Sequence, residues 1–304
     1  MRPMRLCLTL PTMGELKDTS LDYVVEAGQA AEAHGVDVLV VPEHVVMGST
    51  FEEYRWGSPR GRGDVPYLEP LTTLAALSSV TSRVRLATGL LIAPLRPAAV
   101  LAKGVASVDV LSRGRVELGV GTGWQSVEFN AVGVPYEQRG ALMTDRIAAC
   151  RALWTDAPAS YHSEWTSFDE VWCEPRPVQA GGPPVLFGGT LNERMADRIV
   201  TLGNGWLPIM GSTVDDISRG VETLRDRFTE AGRDPDGLIV RTRIPLQNDD
   251  DGRASIVDTL AAVPSYRDAG LTDVVVMLGA FTRTPADVVP WLGKLQEAWT
   301  AVAA

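Results

Sequence analysis

RVELGVGTGW, residues 115–124, is an alternating apolar strand that runs directly into three glycines. Glycine admits φ > 0 and lets a ligand approach the backbone closely. A helix that starts after such a turn presents unpaired N–H groups and the positive end of its dipole. Two readings fit the stretch taken alone: a tight strand-to-helix connection with no ligand, and a cradle for a phosphate. Its spacing argues against a dinucleotide-binding unit, whose fingerprint runs GxGxxG, usually in the first strand-helix unit, with an acidic residue about twenty positions on. Here the glycines are spaced GxGxG, and three strand-helix units precede them.

Outward from this stretch, short Val-, Ile- and Leu-rich runs recur: RLCLTL (5–10), DVLVV (37–41), RLATGLL (85–91), RVELGV (115–120), PVLFGG (184–189), GWLP (205–208), LIVRTRI (238–244) and DVVVML (273–278). Most lack polar alternation, the pattern of parallel strands covered on both faces. Helical periodicity occupies residues 21–34, 97–111, 139–153, 192–202, 214–231, 256–269 and 285–302. Pro97 and Pro285 sit where a first turn tolerates proline, Asn192 opens one helix, and Gly35, Gly232 and Gly270 close three. Eight strands alternating with such helices predict an α/β fold, a (β/α)8 TIM barrel forming one domain over residues 1–304. Two insertions interrupt the spacing. One follows the second strand (47–69) and carries Arg55, Arg60 and Arg62; the other lies between the fourth helix and the fifth strand (157–182) and carries Trp165, Phe168 and Trp172. Loops of that length act as lids, interface pieces or plain surface decoration.

Composition narrows the function classes. With 28 Lys and Arg against 38 Asp and Glu, the net charge of −10 disfavours nucleic acid as a partner. No apolar run reaches membrane-spanning length, so no membrane partner is expected. Cys7, Cys150 and Cys173 are odd in number and lack CxxC spacing, which argues for reduced thiols in a cytoplasmic protein. Three histidines without an HExxH pattern give no metal site.

In barrels of this type the chemistry lies at the C-terminal ends of the strands. There the sequence places Glu43-His44 after the second strand and Gly89-Leu90 in the third. Gly121-Thr122-Gly123-Trp124 follows the fourth, and Gly188-Gly189-Thr190 the fifth. Two neighbouring glycine turns would converge on one anion. His44 is the titratable candidate, an imidazole beside the Glu43 carboxylate; the plainer reading is a histidine bonded to a loop carbonyl. His34 reads as a helix-end residue and His162 as a surface one. If the loops fold inward, Trp56, Trp124, Trp165, Trp172 and Trp206 line a pocket for a planar or apolar small molecule; each fits a core or an interface equally well.

RVELGVGTGW, SVEFNAVGVPYEQRG, RALWT, PPVLFGG and GNGWLP occur in this order over residues 115–208. Together they resemble the bacterial luciferase-like monooxygenase superfamily, and within it the actinobacterial branch that uses the deazaflavin coenzyme F420. The resemblance implies that the deazaflavin phosphate lies against Gly121, Thr122, Gly123, Trp124, Gly188 and Gly189. It implies a bulge at Gly89-Leu90 with a non-prolyl cis bond behind the ring, and Glu43-His44 as the catalytic pair, with Glu where some relatives have Asp. The function implied is an oxidoreductase passing a hydride between F420 and a small organic substrate, with His44 managing the proton and the arginines of 55–62 attracting the glutamyl tail. The alternatives are an FMN-dependent monooxygenase, supplied with reduced flavin by a separate reductase, and a non-catalytic cofactor-binding protein. A homodimer is also implied.

Overall fold

Eight parallel strands close into a ring in the computed structural model, which describes residues 3–12, 23–49, 54 and 66–303. They are β1 (Arg5–Thr9), β2 (Val38–Val41), β3 (Arg85–Ile92), β4 (Val116–Gly121), β7 (Val185–Gly188), β8 (Gly205–Leu207), β9 (Ile239–Arg243) and β12 (Asp273–Met277), paired in chain order with β12 returning to β1. All eight coincide with the runs read from the sequence, so the chain is a TIM barrel. Hairpins β5–β6 (Ala159–His162, Ser167–Val171) and β10–β11 (Gln247–Asn248, Ala254–Ser255) lie outside the ring.

The helices surrounding the barrel are α1 (Tyr23–Ala33), α2 (Pro70–Val80), α3 (Ala98–Leu111), α4 (Ser126–Ala131), α5 (Arg139–Thr155), α6 (Glu193–Leu202), α7 (Val214–Glu230), α8 (Ile256–Leu260), α9 (Val263–Asp268), α10 (Leu278–Phe281) and α11 (Pro285–Val302). Three of these features correct the sequence reading. Helix α2 directly after the first insertion was missed, although Glu69 caps it by accepting from Thr72 N at 2.6 Å and Pro70 opens it. The single helix expected over 256–269 is two, because Pro264 has no N–H to donate and its ring crowds the carbonyl of Leu260. The second insertion is a hairpin, and Tyr161 and Thr166 bond its strands and turn to Asp145 of α5. It follows a helix, so it belongs to the side of the barrel opposite the strand C-termini and is no lid.

Two cores result. The larger lies between strands and helices and holds Leu39, Leu74, Leu118, Phe187, Trp206 and Leu292. The smaller fills the barrel interior with Cys7, Val38, Val40 and Ala87. Below it, at the strand N-terminal ends, Arg5, Arg241 and Arg85 surround Glu117 and Asp273. No helix among the described residues is long and apolar enough to cross a membrane. Cys7, Cys150 and Cys173 are buried, unpaired thiols.

Candidate active site

The floor of the barrel mouth is set by one irregularity in β3. Thr88 pairs with Leu118 but Leu91 pairs with Val120, so β3 spends one residue more than β4 at Gly89-Leu90. The peptide bond between those two residues is cis. Although β3 sits inside a closed ring, Gly89 is exposed and Leu90 half-buried, so the mouth opens directly above the bulge. The Leu90 side chain lies across the two neighbouring strand ends. A Cβ on Gly121 would come within 2.5 Å of Leu90 Cδ1, and one on Gly188 within 2.5 Å of Leu90 Cδ2. These two glycines are therefore required for packing as well as for any ligand.

The two glycine turns are neighbours in space, since Val120 pairs with Phe187. Gly123 has φ +70, which only glycine adopts freely, and a Cβ there would also meet Ile92 at 2.9 Å. Among the described residues the N–H groups of Thr122, Gly123 and Thr190 have no acceptor, whereas Gly189 N donates to Leu207 O at 3.1 Å. Open donors on adjacent turns suit an anion.

His44 stands at the rim, partly buried, and its carboxylate partner is Glu128, not the adjacent Glu43. Nδ1 lies 3.2 Å from Glu128 Oε2, and Val45 N donates to Glu128 Oε1 at 2.6 Å. Glu128 is fully buried on α4. The SVEFNA stretch does not by itself single out Glu128, because its partner lies 84 residues away along the chain. The rings of Tyr67 and Trp124 meet the imidazole edge-on at 5.1 and 5.7 Å, and Tyr54 meets Trp124 at 5.1 Å. Tyr136 Oη donates to Trp124 O at 2.8 Å and fixes that loop.

Glu43 is engaged elsewhere. Buried at 5% exposure, it accepts from Ile92 N at 2.6 Å and from Arg96 Nη2 at 2.5 Å. Its carboxylate ties the end of β2 to the residues after the bulge, and Arg96 extends the tie to Glu69 at 2.8 Å. Of the four tryptophans read as pocket candidates that lie among the described residues, only Trp124 is at the mouth. Trp206 is buried behind β8 against Gly220, with Nε1 donating to Gly189 O, and Trp172 is 66% exposed beside the outer hairpin. Trp165 sits at the turn of that hairpin, where its carbonyl accepts from Arg146 of α5. Trp56, Arg55, Arg60 and Arg62 lie outside the described residues. His34 bonds Ala30 O within its helix end, and exposed His162 pairs with Ser167 and Asp169.

Comparison with known proteins gives relatives of two cofactor types. An uncharacterized protein of Mycobacterium tuberculosis is 36% identical over 275 residues, covering 88% of this chain and 91% of the relative. An F420-dependent glucose-6-phosphate dehydrogenase of Segniliparus rotundus is 29% identical (75% and 65% covered), and an FMNH2-dependent dimethylsulfone monooxygenase of Pseudomonas putida is 26% identical (70% and 58%). The fold matches an F420-dependent secondary alcohol dehydrogenase with a TM-score of 0.79 at 14% identity, over 99% of both chains. The family model described as luciferase-like monooxygenase matches residues 3–286, and with the bulged third strand and paired glycine turns already in place, the chain belongs to that family of oxidoreductases.

Proposed function

We propose that this protein is an F420-dependent oxidoreductase that moves a hydride between the deazaflavin and the carbon of a small alcohol, carbonyl or activated alkene. The observation that carries the reading is the exposed bulge at Gly89-Leu90, with open backbone donors on one side and a histidine held by a buried carboxylate on the other. A planar ring fits over the exposed Gly89-Leu90 bulge, and its phosphate fits the Thr122, Gly123 and Thr190 donors. When bound, the deazaflavin supplies or accepts the hydride; it has no need of oxygen. The chain's own residues do the rest. His44 exchanges the proton of the substrate oxygen, and Glu128 fixes the orientation of its ring. Glu43 keeps the bulge in place through Ile92 and Arg96 and does not itself touch the reacting atoms. Trp124 and Tyr67 wall the histidine from bulk water.

The test is direct titration of the purified protein with F420 and, separately, with FMN, followed by cofactor fluorescence. Tight F420 binding with weak FMN binding supports the proposal. The reverse preference, with oxygen uptake when reduced FMN is supplied, replaces it with the monooxygenase reading. The resemblance-based expectation of a homodimer belongs to the same proposal and is checked by light scattering.

A further inference from the structure

The inward-facing residues of β9 carry two arginines with different surroundings. Arg241 faces into the barrel, where it bonds Asp273 and Glu117 at the sealed end. Alternation along a strand puts Arg243 on the same face, about 7 Å further toward the mouth. Arg243 is exposed there, and among the described residues its guanidinium lies against two thioethers, Met277 at the end of β12 and Met210 after β8. No carboxylate among the described residues pairs with it. Thioether sulfur is a weak acceptor that leaves the cation uncompensated. Tyr54 registers this charge: burial raises its phenol above the ordinary value, and Arg243 acts against that rise. Tyr54 in turn touches Trp124, and Trp124 touches His44. Tyr54, Trp124 and His44 therefore form a contiguous ring series, and Arg243 is near enough to its Tyr54 end for its charge to act there.

We infer that Arg243 is the specificity-determining group of the mouth and receives an oxyanion carried by the substrate, a carboxylate or phosphate distal to the carbon that reacts. An arginine fork takes such groups in bidentate fashion, and weakly accepting thioethers beside it leave its N–H groups to a better acceptor. On a chain of net charge −10, an uncompensated inward cation is a local exception that draws an anion to one place. The inference names the substrate class for the site proposed above and rests on that reading for the chemistry, but the binding of the anion does not depend on which cofactor is used.

The same oxyanion chemistry is present on the cofactor, so the experiment separates the two sources. Inorganic phosphate, acetate and benzoate are titrated calorimetrically into the wild-type protein, Arg243→Met and Arg243→Lys, with benzamide as the uncharged control. F420 binding is measured in parallel. The expected result is that the wild type binds at least one of these anions and favours benzoate over benzamide. Arg243→Met weakens anion binding by about tenfold or more, Arg243→Lys keeps part of it, and F420 affinity is the same in all three. Anion binding in the wild type that Arg243→Met leaves unchanged overturns the inference, as does the absence of binding for all three anions. An Arg243→Met protein that loses F420 affinity also overturns it, since the receptor then serves the cofactor. If F420 fails to bind the wild type while Arg243-dependent anion binding persists, the cofactor proposal falls and the anion receptor stands.

Discussion

A single hydrogen bond separates His44 from an ordinary loop histidine. Glu128 is buried, accepts from Val45 N and holds Nδ1, which leaves Nε2 as the nitrogen available to a substrate. Replacing His44 with Ala is expected to lower kcat by about 10²–10⁴-fold while cofactor affinity stays near wild type, the range for loss of a positioned acid or base. Glu128→Gln keeps the shape and an acceptor oxygen but removes the charge. Its expected signature is a fall in kcat of at least about tenfold with little change in thermal midpoint. Steady-state kinetics alongside thermal unfolding check both, and an unchanged kcat in Glu128→Gln would remove that residue from the mechanism. Glu43 gives the contrasting outcome. Because it accepts a backbone N–H and an arginine in a buried place, Glu43→Gln should reduce stability and cofactor binding together.

At the scale of elements, β3 and β4 meet through glycines that have different neighbours. A Cβ on Gly119 would lie 2.3 Å from the backbone oxygen of Thr88, which cannot move without disturbing the ladder. A Cβ on Gly121 would press on the flexible end of Leu90 instead. Gly119→Ala should therefore cost about 3 kcal/mol or more in denaturant unfolding, and Gly121→Ala about 1 kcal/mol. Because the strain in Gly121→Ala falls on one side chain, adding Leu90→Ala should relieve part of it; a strictly additive double mutant would contradict this packing. The glycine pattern that announced a ligand turn thus serves strand packing as well. That second role was hidden because it depends on a leucine from another strand.

Across the whole molecule, charged groups gather at both ends of the barrel axis. The sealed end holds Arg5, Arg85 and Arg241 around Glu117 and Asp273, and the open end holds Arg243, the Glu43–Arg96 pair and Glu128. Burial alone pushes the Glu117 carboxyl up, but the guanidiniums of Arg241, Arg5 and Arg85 outweigh it and hold the carboxyl well below its usual range. A carboxylate depressed in the folded state contributes stability that is full above its ordinary pKa of about 4.3 and is lost as pH falls below that toward the folded value. Glu117→Gln is expected to cost about 3–5 kcal/mol at neutral pH, because it leaves buried guanidiniums without their counter-charge. Its stability should also depend less on pH below about 4 than that of the wild type, which denaturant melts across pH 3–7 would show. All eight barrel strands and most flanking helices were readable along the chain, because burial on both faces and helical period are local patterns. The strand-end candidates were readable too, once strand order placed them at one mouth. The working pairs were not: His44 with Glu128 and Arg241 with Glu117 are 84 and 124 residues apart, and only barrel closure brings them together. Local sequence carries periodicity and turn chemistry, whereas the partner of a charge is chosen by the register of strands that are distant along the chain.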